Sequence, residues 1–268
     1  MKHSIIIITL FAFIFQSCKK DIDEPTFNED NLAPLSVEFD NIVGGQNLIL
    51  NSTNYKNAAG ETYKVQLLQY FISNIKVAKV DGTVYTIPQD SSYFLINESD
   101  PESRFAKIRV PEGDYTKLTF TIGVDSLRST MDVSKRTGVL DPASGHDGMY
   151  WDWNSGYIFF KMEGTSPQAP TDPTGAEKFR YHIGGFGGYS APSINNIKTV
   201  TLDLTMRGVA QVRKTRSPNI HLFADISKVF DGVNTVSITA HPQVMHSEFS
   251  VSIANNYAAM FTHDHTEN

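Results

Sequence analysis

The residues of this chain that are best suited to chemistry lie in one short aromatic block. Both tryptophans of the protein, Trp151 and Trp153, occur in the stretch 148–160, and histidines lie before and after it. Indoles are oxidisable and imidazoles are good ligands for transition metals, so this grouping is typical of a metal or redox site. The alternative is structural, because residues two apart on a strand share a face and large aromatic side chains pack well in a sheet core. The residue types alone leave both interpretations open.

His182 has the most informative surroundings of any histidine. It follows a short alternating segment and precedes the pair Gly184-Gly185, where the backbone can bend sharply or approach a neighbour closely. A histidine at this position is either a hydrogen-bonded interior residue or a metal ligand, and its position does not decide between the two.

The other histidines form no recognised motif. His263 and His265 are two apart near the C-terminus, so their rings lie on one side only if that segment is extended; the alternative is a solvated pair on a free tail. His146 lies among loop acids whose spacing fits no EF-hand calcium loop. His241 and His246 are interpreted as structural or exposed residues.

Catalytic motifs are missing from the sequence. It contains no HExxH, CxxC, P-loop or GxSxG pattern, and the glycines of residues 184–188 follow no βαβ unit that would make them a dinucleotide fingerprint. Because the sequence offers neither a nucleophile motif nor a phosphate cradle, we expect a protein that is not an enzyme.

The N-terminal residues predict export and lipid anchoring. Lys2 is followed by an apolar run over residues 5–15, which is short for a membrane span and typical of a signal peptide. The run ends just before Cys18, the only cysteine, as in a bacterial lipobox; the alternative is ordinary signal cleavage beside an incidental cysteine. We predict a signal peptide over residues 1–17, acylation of Cys18 and a flexible tether over residues 18–34.

This anchor predicts an outer-membrane lipoprotein as the mature form. The lysines and acidic residues that follow Cys18 resemble the export signals of surface lipoproteins in Bacteroidetes, and the periplasmic face is the alternative location. The formal net charge of -6 argues against a nucleic-acid partner.

Short alternating segments predict an all-β fold. Residues 35–39 alternate strictly, Asp81-Gly82 is a strong hairpin signal, and the aromatic residues 150–162 are interpreted as a strand. Helical periodicity is convincing only over residues 253–261. We predict a single β-sandwich domain over residues 35–268, immunoglobulin-like with two antiparallel sheets and a short C-terminal helix.

Residues 125–148 interrupt this strand pattern. The segment lacks periodicity and is rich in Ser, Thr, Gly and Asp. Long excursions of this kind in compact domains are usually functional or mobile, and we expect one of these roles here.

Seven sequence blocks occur in a fixed order. They are residues 39–45, 70–75, 110–115, 122–126, 140–142, 148–157 and 181–185. In this order they resemble the MbnP-like copper-binding proteins, a family named for its methanobactin-associated member. The resemblance runs from about Leu35 to at least Asp225, and the tryptophan block and the His-Ile-Gly-Gly block are its most specific parts.

The resemblance implies a secreted or surface β-sandwich that captures or stores copper. In the family a tryptophan of the matching block is oxidised to kynurenine, often by a diheme peroxidase-like partner. Carried onto this chain, the resemblance makes His182 the expected copper ligand and Trp151 or Trp153 the residue expected to be oxidised. Met149 would add a soft thioether ligand.

One departure from the family pattern removes an expected ligand. Asn41 stands where relatives commonly carry histidine after the Phe-Asp pair. His263 or His265 would have to replace that ligand, which requires the C-terminal segment to fold back on the domain.

A function without metal is the alternative. The chain would then be a surface adhesin or an accessory lipoprotein whose aromatic block binds glycan or protein. Exposed, coplanar rings of Trp151, Trp153 and Tyr157 would favour this function, whereas indoles that converge with His182 in a pocket would favour copper.

Overall fold

Apolar and polar residues alternate in many short segments of the chain, and most of these segments form strands. This computed structural model describes residues 29–144, 148–153 and 156–268; Cys18, the predicted signal peptide, residues 18–28 of the predicted tether and His146 lie outside them. No helix in these ranges is long and apolar enough to cross a membrane.

The described ranges contain fifteen strands and three short α-helices. The strands are β1 (Leu32–Val43), β2 (Gln46–Asn47), β3 (Tyr55–Lys56), β4 (Thr62–Lys79), β5 (Val84–Thr86), β6 (Tyr93–Asn97), β7 (Phe105–Pro111), β8 (Gly113–Ile122), β9 (Ile158–Thr165), β10 (Lys178–Gly184), β11 (Lys198–Asp203), β12 (Ala210–Val212), β13 (Asn219–Asp225), β14 (Gln243–Val244) and β15 (Phe261–Glu267). The helices are α1 (Ser126–Thr130), α2 (Lys228–Asp231) and α3 (Ser250–Tyr257). The predicted helix near the C-terminus is confirmed as α3, and β15 follows it.

The strands form two sheets. The smaller has the order β15-β13-β1-β2, with β7 also paired to β1. The larger has the order β11-β8-β4-β9-β10-β14, with β12 paired to β8 and with β3, β5 and β6 paired to β4. The predicted all-β sandwich is confirmed. Two pairings, β1 with β13 and β10 with β14, are parallel, so neither sheet is purely antiparallel.

The main core lies where the two sheets interlock through aromatic rings. Phe39 of β1 packs edge-to-face against Tyr70 of β4 at 6.4 Å, Phe120 of β8 at 5.5 Å and Phe261 of β15 at 6.0 Å between centroids. All four side chains are buried. Such pairs add about 0.5–1.5 kcal/mol each beyond the burial of their area, so these rings fix how the sheets face each other.

A second core lies on the other face of the larger sheet. Phe71 alternates with the main-core residues beside it, and it packs in a separate buried cluster with Leu140, Met149, Tyr157 and Phe159. The hydroxyl of Tyr157 donates to the carbonyl of Leu140 at 2.5 Å. The described part of the 125–148 segment, which forms α1 and three 3-10 turns, supplies one side of this core.

The described parts of the aromatic block, on either side of residues 154–155, pair with each other as the arms of a hairpin. The predicted continuous strand over residues 150–162 is therefore wrong in its first half. Regular pairing begins only at Ile158, while Tyr150 and Tyr157 form an isolated antiparallel bridge. The amide of Trp151 donates to the carbonyl of Gly156 at 2.9 Å. Gly156 has φ +65°, a left-handed conformation that side-chain alternation does not reveal.

Candidate functional site

The outer face of the smaller sheet carries a close group of ionisable side chains. In β13 every second residue is buried, which turns His221 away from the core. The parallel register pairs His221 with Glu38 of β1, and Asp40 lies next on the same face. His221 Nε2 lies 4.0 Å from Glu38 Oε1 and 3.7 Å from Asp40 Oδ2.

β15 completes this group with a carboxylate and a second imidazole. Asp264 Oδ2 lies 3.1 Å from His221 Nδ1 and 2.8 Å from His265 Nδ1, and the two imidazole centroids are 4.9 Å apart. One ligand atom from each of His221, Asp264 and His265 lies within 4.8 Å of the others. We call these three residues the histidine cluster.

A β-bulge explains why Asp264 and His265 reach the same face. In the β13–β15 register His221 pairs with His265 and Leu222 pairs with His263, which leaves Asp264 as an extra residue. Cross-strand partners share a face, so His263 lies on the side of the buried Leu222 and His265 on the side of His221. The C-terminal segment is extended, but the bulge separates the two histidines that the sequence suggested could act together.

The charges of the cluster stabilise one another. Burial disfavours ionisation of Asp264, but hydrogen bonds from His265 and His221 outweigh it and lower the pKa of the carboxyl group. The hydrogen bond to Asp264 raises the pKa of His265. Asp40 differs, because burial raises its pKa despite the nearby His221 and Arg104. The cluster therefore combines an ionised carboxylate with imidazoles at one edge of the sheet.

This donor set fits a borderline transition metal. Two imidazole nitrogens and one carboxylate oxygen suit Cu(II) or Zn(II). Asp40, beside Nε2 of His221, is placed to orient that ring, as carboxylates behind ligating histidines commonly do. Within the described residues, this is the group of three His, Cys, Asp or Glu side chains that is close enough to share an ion.

His182, the ligand expected from the resemblance, lies on the other sheet. Its Nε2 is 2.7 Å from Glu163 Oε1 on the neighbouring strand β9, and its side chain is 14% exposed. Burial lowers its pKa, although Glu163 acts in the opposite direction. The ring is thus a largely buried, neutral hydrogen-bonding partner of one carboxylate.

Trp151 packs on Gly184 at the end of β10, the strand that carries His182, but Met149 does not join it. A Cβ atom placed on Gly184 would lie 2.7 Å from Cζ3 of Trp151, so the indole covers this glycine closely. His182 and Gly184 are two apart and share a face of the strand. Met149 is fully buried in the second core, so its thioether contributes to the packing of that core.

The hairpin brings both indoles against a histidine that the sequence did not single out as a ligand. The ring centroids of Trp151 and Trp153 lie 5.1 Å apart, and the two ring planes are tilted by 30°. The imidazole of His246 meets both indoles edge-on, with its centroid 6.4 Å from that of Trp151 and 5.4 Å from that of Trp153. His246 Nε2 is 3.2 Å from the hydroxyl of Ser193. Its Nδ1 is buried and has no hydrogen-bond partner in the part of the chain that the structure describes.

The rings therefore do not form the flat platform that would favour the adhesin interpretation. Trp153 is 52% exposed, whereas Tyr157 is buried in the second core. The tilt between the two indoles also departs from a coplanar arrangement.

Long-range pairing explains why His221 and His246 were missed. β14 runs parallel to β10, and this pairing carries the chain from Val244 to His246 beside the glycine pair that ends β10. For His221, the alternation of residues 219–225 in β13 accounts for the outward side chain. Its partners come from strands far away in sequence, however, and local patterns do not predict that pairing.

Comparison of the sequence and of the fold with known proteins shows which family the chain belongs to. The sequence profile of the MbnP family matches residues 33–247. The chain belongs to the MbnP family. Among solved structures, MbnP from Methylosinus trichosporium is similar at 16% sequence identity, with a TM-score of 0.56, over 81% of this chain and 82% of that one. No curated protein matches the chain significantly.

The family match and the histidine cluster overlap only in part. The residues matched to the MbnP profile include His182, both tryptophans and His221. The match ends at residue 247, before Asp264 and His265. The cluster is thus assembled from one strand inside the matched range and one strand beyond it.

Proposed function

We propose that this MbnP-family protein binds copper in the cell envelope, as a capture or storage protein, through the histidine cluster. The observation that carries the proposal is the convergence of ligand atoms from His221, Asp264 and His265 within 4.8 Å. The resemblance to copper-binding relatives favours copper among the metals that such donors accept. Copper(II) is also the divalent ion that nitrogen and oxygen sites hold most tightly among first-row metals.

Anchoring and location are part of the same proposal. A lipid on Cys18, which lies outside the described residues, would hold the domain at the outer membrane on its periplasmic or outer face. A domain held there would meet copper before the metal reaches the inner membrane.

We also propose Trp153 as the tryptophan that an external diheme peroxidase-like partner would oxidise. Trp153 is about half exposed, so a partner can reach its ring from solvent. Two equivalents of peroxide would cleave the indole C2–C3 bond, place one oxygen atom on each of the two carbons and leave two waters. Hydrolysis of the resulting N-formyl group would then release formate and leave kynurenine. Peptide mass spectrometry of protein from its native host tests this; an unmodified Trp153 would refute the step.

Calorimetric titration of the metal-free mature protein with Cu(II), and with Cu(I) under reducing conditions, tests copper binding. We expect one tight equivalent in wild type. His221→Ala and His265→Ala each remove a direct ligand, so each should weaken copper binding. Loss of an outer-shell partner typically weakens metal binding about 10–100-fold, and the loss of a direct ligand should be at least as large.

Two matched histidine variants locate the site. His241→Ala removes an imidazole that stacks on Phe249 at 3.5 Å, outside the cluster, and should leave copper binding unchanged. His182→Ala should also have no effect. If His182→Ala abolished binding while His221→Ala did not, the site would lie on the tryptophan side. No binding of either ion by wild type would refute the function.

A further inference from the structure

A separate cleft of about 210 Å³ opens on the side of the larger sheet that carries the second core. It lies between the α1 region and the aromatic hairpin and shares no residue with the histidine cluster. Its walls are aromatic, formed by Tyr150, Trp153, Phe186 and Tyr189. Trp153 and Tyr189 are 52% and 65% exposed, so their rings are available to a ligand that enters from solvent.

A buried cation lines this cleft. Arg136 is only 8% exposed; its Nη1 donates to the hydroxyl of Tyr150 at 3.2 Å, and its guanidinium lies over the Tyr150 ring at 5.6 Å. Among the described residues no carboxylate forms an ion pair with Arg136, and its Nε has no acceptor. The carboxylate of Asp132 interacts with Arg136 only at longer range. A ligand carboxylate within hydrogen-bond distance would therefore form a direct charge-assisted bond with the guanidinium.

The remaining polar groups of the cleft are mostly acceptors. The hydroxyls of Ser129 and Thr130 already donate to backbone carbonyls, at 3.2 and 2.8 Å, which leaves their lone pairs to accept. The carboxylate of Asp152 on the rim is a further acceptor. A ligand that matches this lining needs several hydroxyl donors as well as a carboxylate, and an aromatic acid lacks those donors.

From this lining we infer that the cleft binds one acidic sugar ring, a uronic acid that is free or at the end of a glycan. Its carboxylate would pair with Arg136, its hydroxyls would donate to Ser129, Thr130 and Asp152, and its apolar ring face would stack on Tyr189. The volume admits a single ring, since sites for larger ligands are typically about 300–1,000 Å³.

Tryptophan fluorescence of the metal-free protein tests the inference, because both tryptophans of the chain lie in this hairpin. Titration with sodium D-glucuronate should give a saturable change, with D-glucose at least about tenfold weaker, the cost of losing a charge-assisted hydrogen bond. Sodium benzoate should also bind more weakly. Binding of the methyl glycoside of glucuronate as tightly as the free sugar would assign the site to glycan ends, and much weaker binding would assign it to the free sugar.

Variants of the cationic residue and of an aromatic residue that line the cleft make the test specific. Arg136→Gln should reduce glucuronate affinity to that of glucose, and Tyr189→Ala should weaken it several-fold. Tyr189 is exposed, so its variant remains informative if Arg136→Gln fails to fold. Met206→Ala removes a still more exposed side chain, 88% against 65% for Tyr189, that lies outside the cleft and should have no effect. The inference is overturned by an absence of saturation, by glucose or benzoate binding as well as glucuronate, or by wild-type affinity in Tyr189→Ala.

Discussion

The side-chain amide of Asn41 donates to Oε2 of Glu98 at 2.9 Å. Asn41 is fully buried on the core side of β1, and its Oδ1 accepts a hydrogen bond from Tyr70 at 2.9 Å. The histidine cluster lies on the opposite side of the same strand, beside Asp40. The residue that departs from the family pattern is therefore a structural bridge in this chain, and its amide does not reach the cluster.

Replacing Asn41 should destabilise the fold without changing copper binding. Asn41→Ala would leave the Glu98 carboxyl group and the Tyr70 hydroxyl without this partner, at a cost of about 1–3 kcal/mol in the free energy of unfolding. Chemical denaturation measures that cost, and calorimetry checks copper. Unchanged stability, or a large loss of copper affinity in the folded variant, would contradict this assignment.

Glu61 should make stability depend on pH in the acid range. Its buried carboxylate accepts hydrogen bonds from the side-chain amide of Asn57 and from the backbone amides of Thr239 and Ile238. Burial alone would raise its pKa, but the hydrogen bonds outweigh this and lower it from 4.5 to about 2. Because the folded-state pKa is depressed, the stabilisation is complete above pH 4.5 and is lost as the pH falls towards 2.

The expected loss over that window is about 3 kcal/mol in the free energy of unfolding. Urea denaturation between pH 5 and pH 2 should show it in wild type, and Glu61→Gln should remove that part of the slope. Glu102→Gln is the matched control, because the Glu102 side chain is 81% exposed. An identical pH slope in Glu61→Gln and wild type would contradict the prediction.

The sequence was informative wherever one strand suffices to place a side chain. Alternation predicted the strand that carries Phe39, and periodicity predicted α3. The all-β sandwich follows from many such segments, each of which buries one face. Residues whose position depends only on their own strand could be predicted in this way.

The candidate site required information that local patterns do not contain. The spacing of His263 and His265 predicts that both rings lie on one face of an extended segment. The bulge at Asp264 instead places the two histidines on opposite faces. His221 reaches His265, and His246 reaches Trp153, through pairings between distant segments. Such pairings are settled by the packing of the whole sandwich, so the composition of this site could not be predicted from spacing.

Gly184 should be intolerant of any side chain. A Cβ at this position would lie 2.4 Å from the carbonyl oxygen of Tyr157 and 2.7 Å from the indole of Trp151. Gly184→Ala should therefore displace the hairpin, lower the melting temperature and shift the tryptophan emission. In Gly113→Ala the new methyl group meets only the flexible end of Lys79, so this control should cost little. Equal melting temperatures for the two variants would contradict the prediction, because they would show that the hairpin accommodates the added methyl group without loss of stability.

His246 should couple tryptophan fluorescence to pH. Burial lowers the pKa of His246 below its ordinary value of 6.5, so the imidazole becomes charged only when the pH falls below that value. A cation at the edge of Trp153, with centroids 5.4 Å apart, changes the electrostatic environment of the indole. The emission of wild-type protein should therefore titrate with a midpoint below 6.5.

His246→Gln should abolish this transition, since the amide does not titrate. His241→Gln, which alters a histidine stacked on Phe249 away from the indoles, should keep it. Circular dichroism over the same pH range must remain constant, so that the fluorescence change reports the charge on His246 and not unfolding. A transition that persists in His246→Gln would assign the pH response to another group and would separate His246 from the tryptophans functionally.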